Sequence, residues 1–388
     1  MRHTSYDLQQ MQALPLKAKI IMTEQRLRVW LDNWARFEIF NKKTGKTRFV
    51  TWDTRDYGEP PLKEDEYIES VLPDWAYLSL SGGKDSAVLD DILLKMGIGG
   101  DVVPRVFCNT GLEFPEVRMF ATKRADVVLR PDMPFNEVLK RYGYPVVSKD
   151  VSQKVRLARN GGPSAVQAFE GKNIDGTDSA FRKRYIKWSK LLPLDFKMSE
   201  ECCAVMKKKP FKKYERETGR KAILATMAEE SDLRAKAWLK NGCNAFNANR
   251  AVSSPMAFWT EQDVLQYIKE NDLPIASVYG DIVPVDSSTQ INMFGDEIQK
   301  LKTTGCSRTG CIFCPFGCHL EREPRFERLK ETHPRQWDYC IGGGEYSEDG
   351  LWQPSKEGLG FGHVFDELNA VYGEDFIKYG KEDDAWMR

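Results

Sequence analysis

The sequence predicts an α/β fold with a doubly wound, mainly parallel sheet and an irregular, cysteine-bearing C-terminal region. Three observations carry that expectation. From residue 75 onward, β-rich runs alternate with helical patterns, the signature of a parallel sheet. A Gly82-Gly83 turn joins the first such run to an amphipathic helix. Four cysteines, Cys306, Cys311, Cys314 and Cys318, then crowd into thirteen positions behind the alternating part.

The elements follow in order. Residues 1–70 are polar and aromatic, and 24–40 reads as a helix with Leu27, Trp30, Leu31 and Trp34 at helical spacing, a packing surface. Residues 43–66 are charged and turn-rich, a loop or hairpin insertion. Strand 75–80 leads into helix 86–96, where Ala87, Val88, Leu89, Ile92, Leu93 and Met96 are apolar and Gly97 is a stop. A second strand over 102–108 ends at Asn109-Thr110-Gly111, and Pro115 opens the next helix. A third strand covers 127–129, with helices near 134–142 and 149–159. Residues 160–200 read as a mobile excursion, and 223–227 as another strand. The helix over 259–270 has Thr260 as N-cap, Asp263 completing a capping box, and Trp259 with Val264 as a hydrophobic staple. The expected organisation is an N-terminal helical extension with a loop insertion (1–70), a nucleotide-binding α/β domain (71–285) and a cysteine-cluster region (286–388).

The bulk properties set bounds. The chain has 388 residues, zero formal net charge, 41% hydrophobic and 29% charged residues. There is no global electrostatic drive toward nucleic acid or membrane. No stretch suits a bilayer span and the N-terminus lacks a signal-peptide core, so the expected location is cytoplasmic, without a membrane partner. Nine cysteines in such a chain favour metal or catalytic roles over disulfides.

A strand, a glycine turn and a helix start make a phosphate site. The free N–H groups of the first helical turn and the helix dipole favour an anion there. Gly82 and Gly83 let backbone approach the phosphates, Ser81 and Ser86 offer hydroxyls, Lys84 a positive charge, and Asp85 a ligand for magnesium. The competing reading is a turn that merely connects strand to helix. The spacing is neither that of a Walker loop nor GxGxxG.

Cys311 and Cys314 form a CxxC pair, and Cys202-Cys203 stands upstream, followed by five lysines between 207 and 213. Structural zinc on Cys306, Cys311, Cys314 and Cys318 competes with a 4Fe-4S cluster on that set or on Cys202, Cys203, Cys311 and Cys314. The lysines read either as a solvated helix face or as an anion site. Cys108, Cys243 and Cys340 are singletons.

Together these residues resemble the phosphoadenosine phosphosulfate (PAPS) reductase family of adenine-nucleotide α-hydrolase-like proteins. Residues 81–86 are similar to SGGxDS, the pyrophosphate loop of ATP pyrophosphatases, which cleave ATP between the α and β phosphates. Four more stretches join them: Asn109-Thr110-Gly111-Leu112-Glu113-Phe114-Pro115-Glu116; Cys202-Cys203 with the lysines to Pro210; Glu230-Ser231 with Arg234; and Pro255 through Trp259-Thr260-Glu261 to Ile268. The Thr309-Gly310-Cys311 segment with Cys314 extends the match. The resemblance spans about residues 70–340.

It implies a sheet that binds ATP, or PAPS, at 81–86, with Asn109, Thr110, Gly111, Glu113 and Glu230 in the nucleotide site. Lys84, Asp85 and Arg234 would be the catalytic residues, with Mg2+ as cofactor. It implies a 4Fe-4S cluster on Cys202, Cys203, Cys311 and Cys314, with Zn2+ the alternative metal and Cys306 and Cys318 as substitutes. Arg234 facing phosphate or sulfate competes with a helix-surface salt bridge. Two departures separate the chain from sulfonucleotide reductases. It ends without their Glu-Cys-Gly-x-His tail, leaving Cys340 as the late cysteine, and it keeps the full SGGxDS turn. In both it resembles the cluster-bearing ATP pyrophosphatase of DNA phosphorothioation systems and similar bacterial and phage members. The implied activity is adenylylation of an acceptor with pyrophosphate release, for sulfur transfer. A PAPS or adenylyl-sulfate reductase, and a non-catalytic nucleotide- and cluster-binding subunit, are the alternatives. The implied partners are an adenine nucleotide, a sulfur donor protein or reductant, and a nucleic acid as one candidate acceptor.

Overall fold

The computed structural model describes residues 3–381 apart from 33, 55–57, 73, 247–249 and 292–296. Internal contacts divide the chain into two compact units, Met1–Arg130 with Pro210–Gly310, and Pro131–Lys209 with Cys311–Arg388.

In the first unit, β1 (Trp34–Asn41), β2 (Lys46–Asp53) and β3 (Glu66–Leu72) form an antiparallel sheet in the order β2-β1-β3. The helix expected over 24–40 is therefore corrected. It runs Leu16–Leu31, and the chain turns extended at Trp34. The reason lies in the period: Phe37 and Ile39 are buried two apart on a strand, a spacing that a helix cannot put on one face. Trp30 and Trp34 still meet, 6.4 Å apart and stacked, beside Trp75 and Phe246. Of the 43–66 insertion, Lys46–Asp53 is a strand that forms an antiparallel hairpin with β1, and residues 55–57 lie outside the described residues.

The second sheet of this unit holds β4 (Ala76–Ser79), β5 (Arg105–Cys108), β6 (Val127–Leu129), β7 (Lys221–Ile223), β8 (Asn244–Ala245) and β9 (Val252–Ser253). Their order is β6-β5-β4-β7-β9-β8, and every pairing is parallel except β8 with β9. The architecture is mixed α/β with a mainly parallel central sheet. In that order β5 and β6 lie to one side of β4 and β7 and β9 to the other. The strand expected over 223–227 stops at Ile223.

The helix Lys84–Lys95 leaves β4 through the glycine turn. Asp85 sits in its first turn and Lys95 in its last, matching the dipole at both ends. Its buried face, Val88, Leu89, Ile92 and Leu93, joins Trp30, Trp75 and Trp259 in the main core. Asp90 on the same helix is buried too, and Arg105 of β5 answers it: Nε donates to Oδ1 at 2.7 Å, and the guanidinium also donates to the carbonyls of Val103 and Ile98. The helix Glu261–Glu270 starts on the expected capping box, with Thr260 Oγ1 accepting from Asp263 N–H and the Asp263 carboxylate accepting from Thr260 N–H. That carboxylate also takes the buried Lys19 ammonium at 2.6 Å, which ties the Leu16–Leu31 helix to the cap.

The second unit packs the helices Phe135–Tyr142, Lys149–Arg159, Pro163–Phe169, Arg325–Thr332, Pro334–Ile341 and Phe361–Tyr372, with a short pair of β12 (Glu345–Tyr346) and β13 (Trp352–Gln353). The first unit also holds β10 (Ile282–Ile291) paired with β11 (Glu297–Thr303). Tyr144 sits edge-on to Phe196 and Phe361 in the core of the second unit and donates to the Leu359 carbonyl. The expected mobile excursion over 160–200 is corrected. It contains the Pro163–Phe169 helix and a ten-residue 3-10 helix, Arg182–Leu191, and Arg159 fastens it by donating to the carbonyls of Leu191, Leu192, Leu194 and Phe196. Buried apolar side chains within a charged stretch, Tyr185, Trp188 and Leu191, supply the packing that overall polarity hid.

Among the described residues, no helix is long and apolar enough to cross a membrane.

Replacing Lys19 with Met strands the Asp263 carboxylate in the core. Removing one member of a buried pair costs about 3 kcal/mol or more. Urea unfolding of Lys19→Met should show that loss, and a change below about 1 kcal/mol would mean that the cap alone sustains Asp263.

Candidate functional site

The 81–86 turn is built by β4 and by what packs against it. Gly82 has φ +75°, and a Cβ there would lie 2.8 Å from the Val117 carbonyl oxygen and 2.9 Å from Ala121 Cβ. The Pro115–Arg124 helix thus passes directly over the turn. Ser86 Oγ accepts from Ser81 N–H at 3.2 Å and donates to the Gly83 carbonyl at 2.9 Å, while Ser81 Oγ accepts from Gly83 N–H at 3.3 Å. These bonds set the loop's shape before any ligand arrives. The first helical N–H, that of Lys84, donates to the Tyr279 hydroxyl at 3.1 Å, and that hydroxyl meets Thr309 Oγ1 at 2.6 Å.

The turn opens on a cavity of about 390 Å³. Ser81, Gly83, Lys84, Asp85 and Ser86 line it, and so do Glu230 and Arg234. Sequence reasoning missed the rest of the wall that bears charge or hydroxyls: Thr226, Tyr279 and Arg308. Arg308 had a signal, since it precedes Thr309-Gly310 in a stretch already matched. Tyr279 had none.

The cations of the cavity are held by carboxylates. Lys84, 4% exposed, donates to the Ser307 carbonyl at 3.0 Å and pairs with Glu261 at 3.2 Å. Glu230 pairs with Arg308 at 2.7 Å and with Arg234, and accepts from Met227 N–H at 3.0 Å. Arg234 makes the salt bridge that the sequence offered and also lines the cavity. Burial pulls the Arg234 guanidinium below its ordinary pKa, and the neighbouring Arg308 adds to that. Burial pushes the Asp85 carboxyl up, with the Lys84 ammonium pulling the other way. The buried Oδ1 of Asp85 has no hydrogen-bond partner, and Lys84 Nζ lies 3.9 Å from it. A bare carboxylate oxygen facing a cavity is the hard oxygen donor that magnesium takes.

The second nucleotide stretch forms its own turn at the end of β5. Glu113 accepts from Thr110 N–H at 3.1 Å and from Thr110 Oγ1 at 2.7 Å, and Asn109 Oδ1 accepts from Gly111 N–H at 3.2 Å. Asn109, Thr110, Gly111 and Glu113 do not line the cavity.

The thiols of the second unit are neighbours. Cys202 hydrogen-bonds Cys203; that bond raises the Cys202 pKa, with burial and the charges of Cys203, Cys314 and Cys311 adding to it. The same bond pulls Cys203 below an ordinary thiol, helped by Lys149 and Lys207. Burial pushes Cys314 up to about 11, with Cys311 and Cys203 contributing. So Cys202, Cys203, Cys311 and Cys314 feel one another. Cys318 is pushed up to about 12 by burial, also within reach of Cys314. Among the described residues, however, no three His, Cys, Asp or Glu side chains are gathered closely enough to hold a metal ion. A donor set made of four thiols suits iron–sulfur or zinc and not a hard cation.

Two backbone features attend the thiols. A π-helical turn, Ala204–Lys208, follows Cys203 directly, and Lys209 N–H donates five residues back to Ala204. Pro210 has no N–H to give to the carbonyl four residues before it, which favours the wider turn. Val147, a β-branched residue, has φ +59°. Its carbonyl accepts from Gly317 N–H at 2.9 Å, and the next residue, Ser148, caps the helix whose first residue is Lys149. Of the downstream lysines, Lys208, Lys209, Lys212 and Lys213 are exposed, as on a solvated face.

The structure separates the thiols by reactivity. Cys203 is partly exposed and its pKa is lowered, which makes it the more readily ionised thiol of the Cys202-Cys203 pair. Cys340 is fully buried and its pKa is raised by that burial. In metal-free protein, iodoacetamide should label Cys203, while Cys340 stays unlabelled until the protein unfolds. Peptide mapping by mass spectrometry reads both, and labelling of Cys340 in folded protein would contradict its burial.

No curated protein matches the chain. Residues 170–316 match the phosphoadenosine phosphosulfate reductase domain. The matched part is less than half of the chain; it contains Cys202, Cys203, Glu230, Arg234, Cys311 and Cys314 and leaves out the 81–86 turn. Over that stretch, the match supports the PAPS reductase family that the motifs resemble.

Proposed function

We propose that the chain is an ATP-binding enzyme of the PAPS reductase type. It activates an acceptor by α-phosphate chemistry with release of pyrophosphate, in the service of sulfur transfer. The observation that carries this reading is the convergence of the glycine turn, Lys84, Arg234 and Arg308 on one cavity. Such a wall neutralises a polyphosphate, and loop N–H groups stabilise charge as it moves.

An acceptor oxygen attacks the α-phosphorus, and the bond to the bridging oxygen of the β-phosphate breaks. Pyrophosphate leaves with that electron pair, and the acceptor carries AMP. A sulfur nucleophile from a donor protein then displaces AMP. Lys84 exchanges Glu261 for a phosphate oxygen, and Arg234 and Arg308 exchange part of Glu230 in the same way. Asp85 would hold magnesium, which supplies charge neutralisation on the leaving phosphates.

Cys202, Cys203, Cys311 and Cys314 would hold a 4Fe-4S cluster, which supplies redox or sulfur-binding chemistry. The mutual electrostatic influence of these four thiols supports that assignment. Anaerobic purification should give iron and acid-labile sulfide that are lost in Cys202→Ser and Cys311→Ser and kept in Cys306→Ser. Zinc in place of iron would make the centre structural.

The reductase reading needs a thiol nucleophile near the C-terminus. The burial of Cys340 counts against it.

Calorimetric titration of anaerobically purified protein with Mg-ATP and, separately, with PAPS tests the proposal. Mg-ATP should bind more tightly, and Lys84→Ala should weaken it at least tenfold, about 1.4 kcal/mol, with the fold intact. Preference for PAPS would overturn the ATP reading in favour of reduction. Tight Mg-ATP binding without pyrophosphate release, even with candidate acceptors present, would point to a binding subunit.

A further inference from the structure

The ten-residue 3-10 helix of the second unit sorts its side chains by threes. Tyr185, Trp188 and Leu191 form the buried row. With three residues per turn, rows i and i+3 eclipse one another, so the other two rows face away together. Those rows hold Lys183 and Ile186, and Arg184, Lys187 and Lys190, all exposed. Phe181 stands just before them, 67% exposed, and the Arg184 guanidinium lies 4.0 Å from its ring centroid. Arg182 is turned inward, donating to the carbonyls of Ser164 and Lys172.

No acidic residue occurs from 179 to 194, although the whole chain is neutral. The basic run is therefore a local concentration and not a reflection of composition. Asp150 answers Arg184 at 3.3 Å on the surface. The acid that follows the run, Asp195, is engaged with His363 and Tyr346.

We propose that this face binds single-stranded nucleic acid, with phosphates along Lys183, Arg184, Lys187 and Lys190 and a base stacked on Phe181. A line of cations beside an exposed, arginine-backed aromatic ring is the arrangement that recognises an unpaired strand. An anionic lipid surface would hold such a face by buried apolar area as well as charge, and Phe181 and Ile186 are the two large apolar side chains exposed on it. A duplex keeps its bases stacked away from that ring. The inference does not depend on ATP chemistry, because strand binding is read without nucleotide.

The test is fluorescence anisotropy of the full chain with labelled oligodeoxythymidine and oligouridine across a salt series, without ATP. Micromolar or tighter binding at low salt is expected for at least one of the two. Replacing Lys183, Arg184 and Lys187 together by Ala should weaken binding at least tenfold and flatten the log–log salt slope by about 2. Phe181→Ala should weaken it about tenfold with the slope unchanged. The single reversal Lys187→Glu guards against misfolding of the triple variant and should weaken binding in the same direction. Absence of strand binding, binding indifferent to these changes, or binding only to duplex or to phosphatidylserine-containing phosphatidylcholine vesicles would overturn the proposal.

Discussion

The turn at Gly82 has no room for a Cβ, and the first unit is arranged around that fact. A side chain there would strike the backbone and Ala121 of the crossing helix and would also force an L residue into a left-handed conformation. Because nothing protrudes, the Pro115–Arg124 helix can lie on the turn. The Lys84–Lys95 helix can then begin immediately after β4, and its first N–H groups stay near the cavity. The buried Arg105–Asp90 pair fixes the same helix to the neighbouring strand from below. The position of the 81–86 turn is thus a packing result, achieved by the absence of atoms.

The electrostatics of the cavity are those of a site already satisfied. Each cation has a carboxylate or carbonyl, and the foremost helix N–H has a tyrosine hydroxyl. A polyphosphate would trade against these contacts and not fill an empty field, so its affinity reflects the difference between two sets of charge-assisted bonds. Glu230 and Glu261 set that difference. They also keep positive side chains ordered when no ligand is present, which lowers the entropy lost on binding. Asp85 runs the other way: burial without a hydrogen bond to its Oδ1 costs stability, and a cation would recover it.

Much of this was legible in the sequence because local chemistry and fold agree there. The 81–86 turn, the Thr260–Asp263 box, the Pro115 helix start and the alternation after residue 75 each have a short-range cause. The failures have long-range causes. Residues 34–40 look helical because Leu27, Trp30, Leu31 and Trp34 fall at helical spacing, yet pairing with β2 and β3 decides their state. The 160–200 stretch looks solvated because it opens on Gly161-Gly162-Pro163 and carries many charges, yet every third side chain of 185–191 is buried. Tyr279 and Thr226 reach the cavity only through tertiary placement. The Asn109–Glu113 turn was visible as a motif, but its carboxylate is turned back on its own loop.

Neither unit is one uninterrupted piece of chain. The backbone passes from one to the other after Arg130, after Lys209 and after Gly310. The Cys202-Cys203 pair and the Cys311–Cys314 turn belong to one unit, yet the whole of Pro210–Gly310, with more than half of the cavity lining, is synthesised between them. Contacts so distant in sequence close slowly, because the loop entropy is lost before the contact forms. The thiols therefore come together only after a ribosome has delivered nearly the entire cavity wall. An interrupted chain would present Cys202 and Cys203 without their downstream partners.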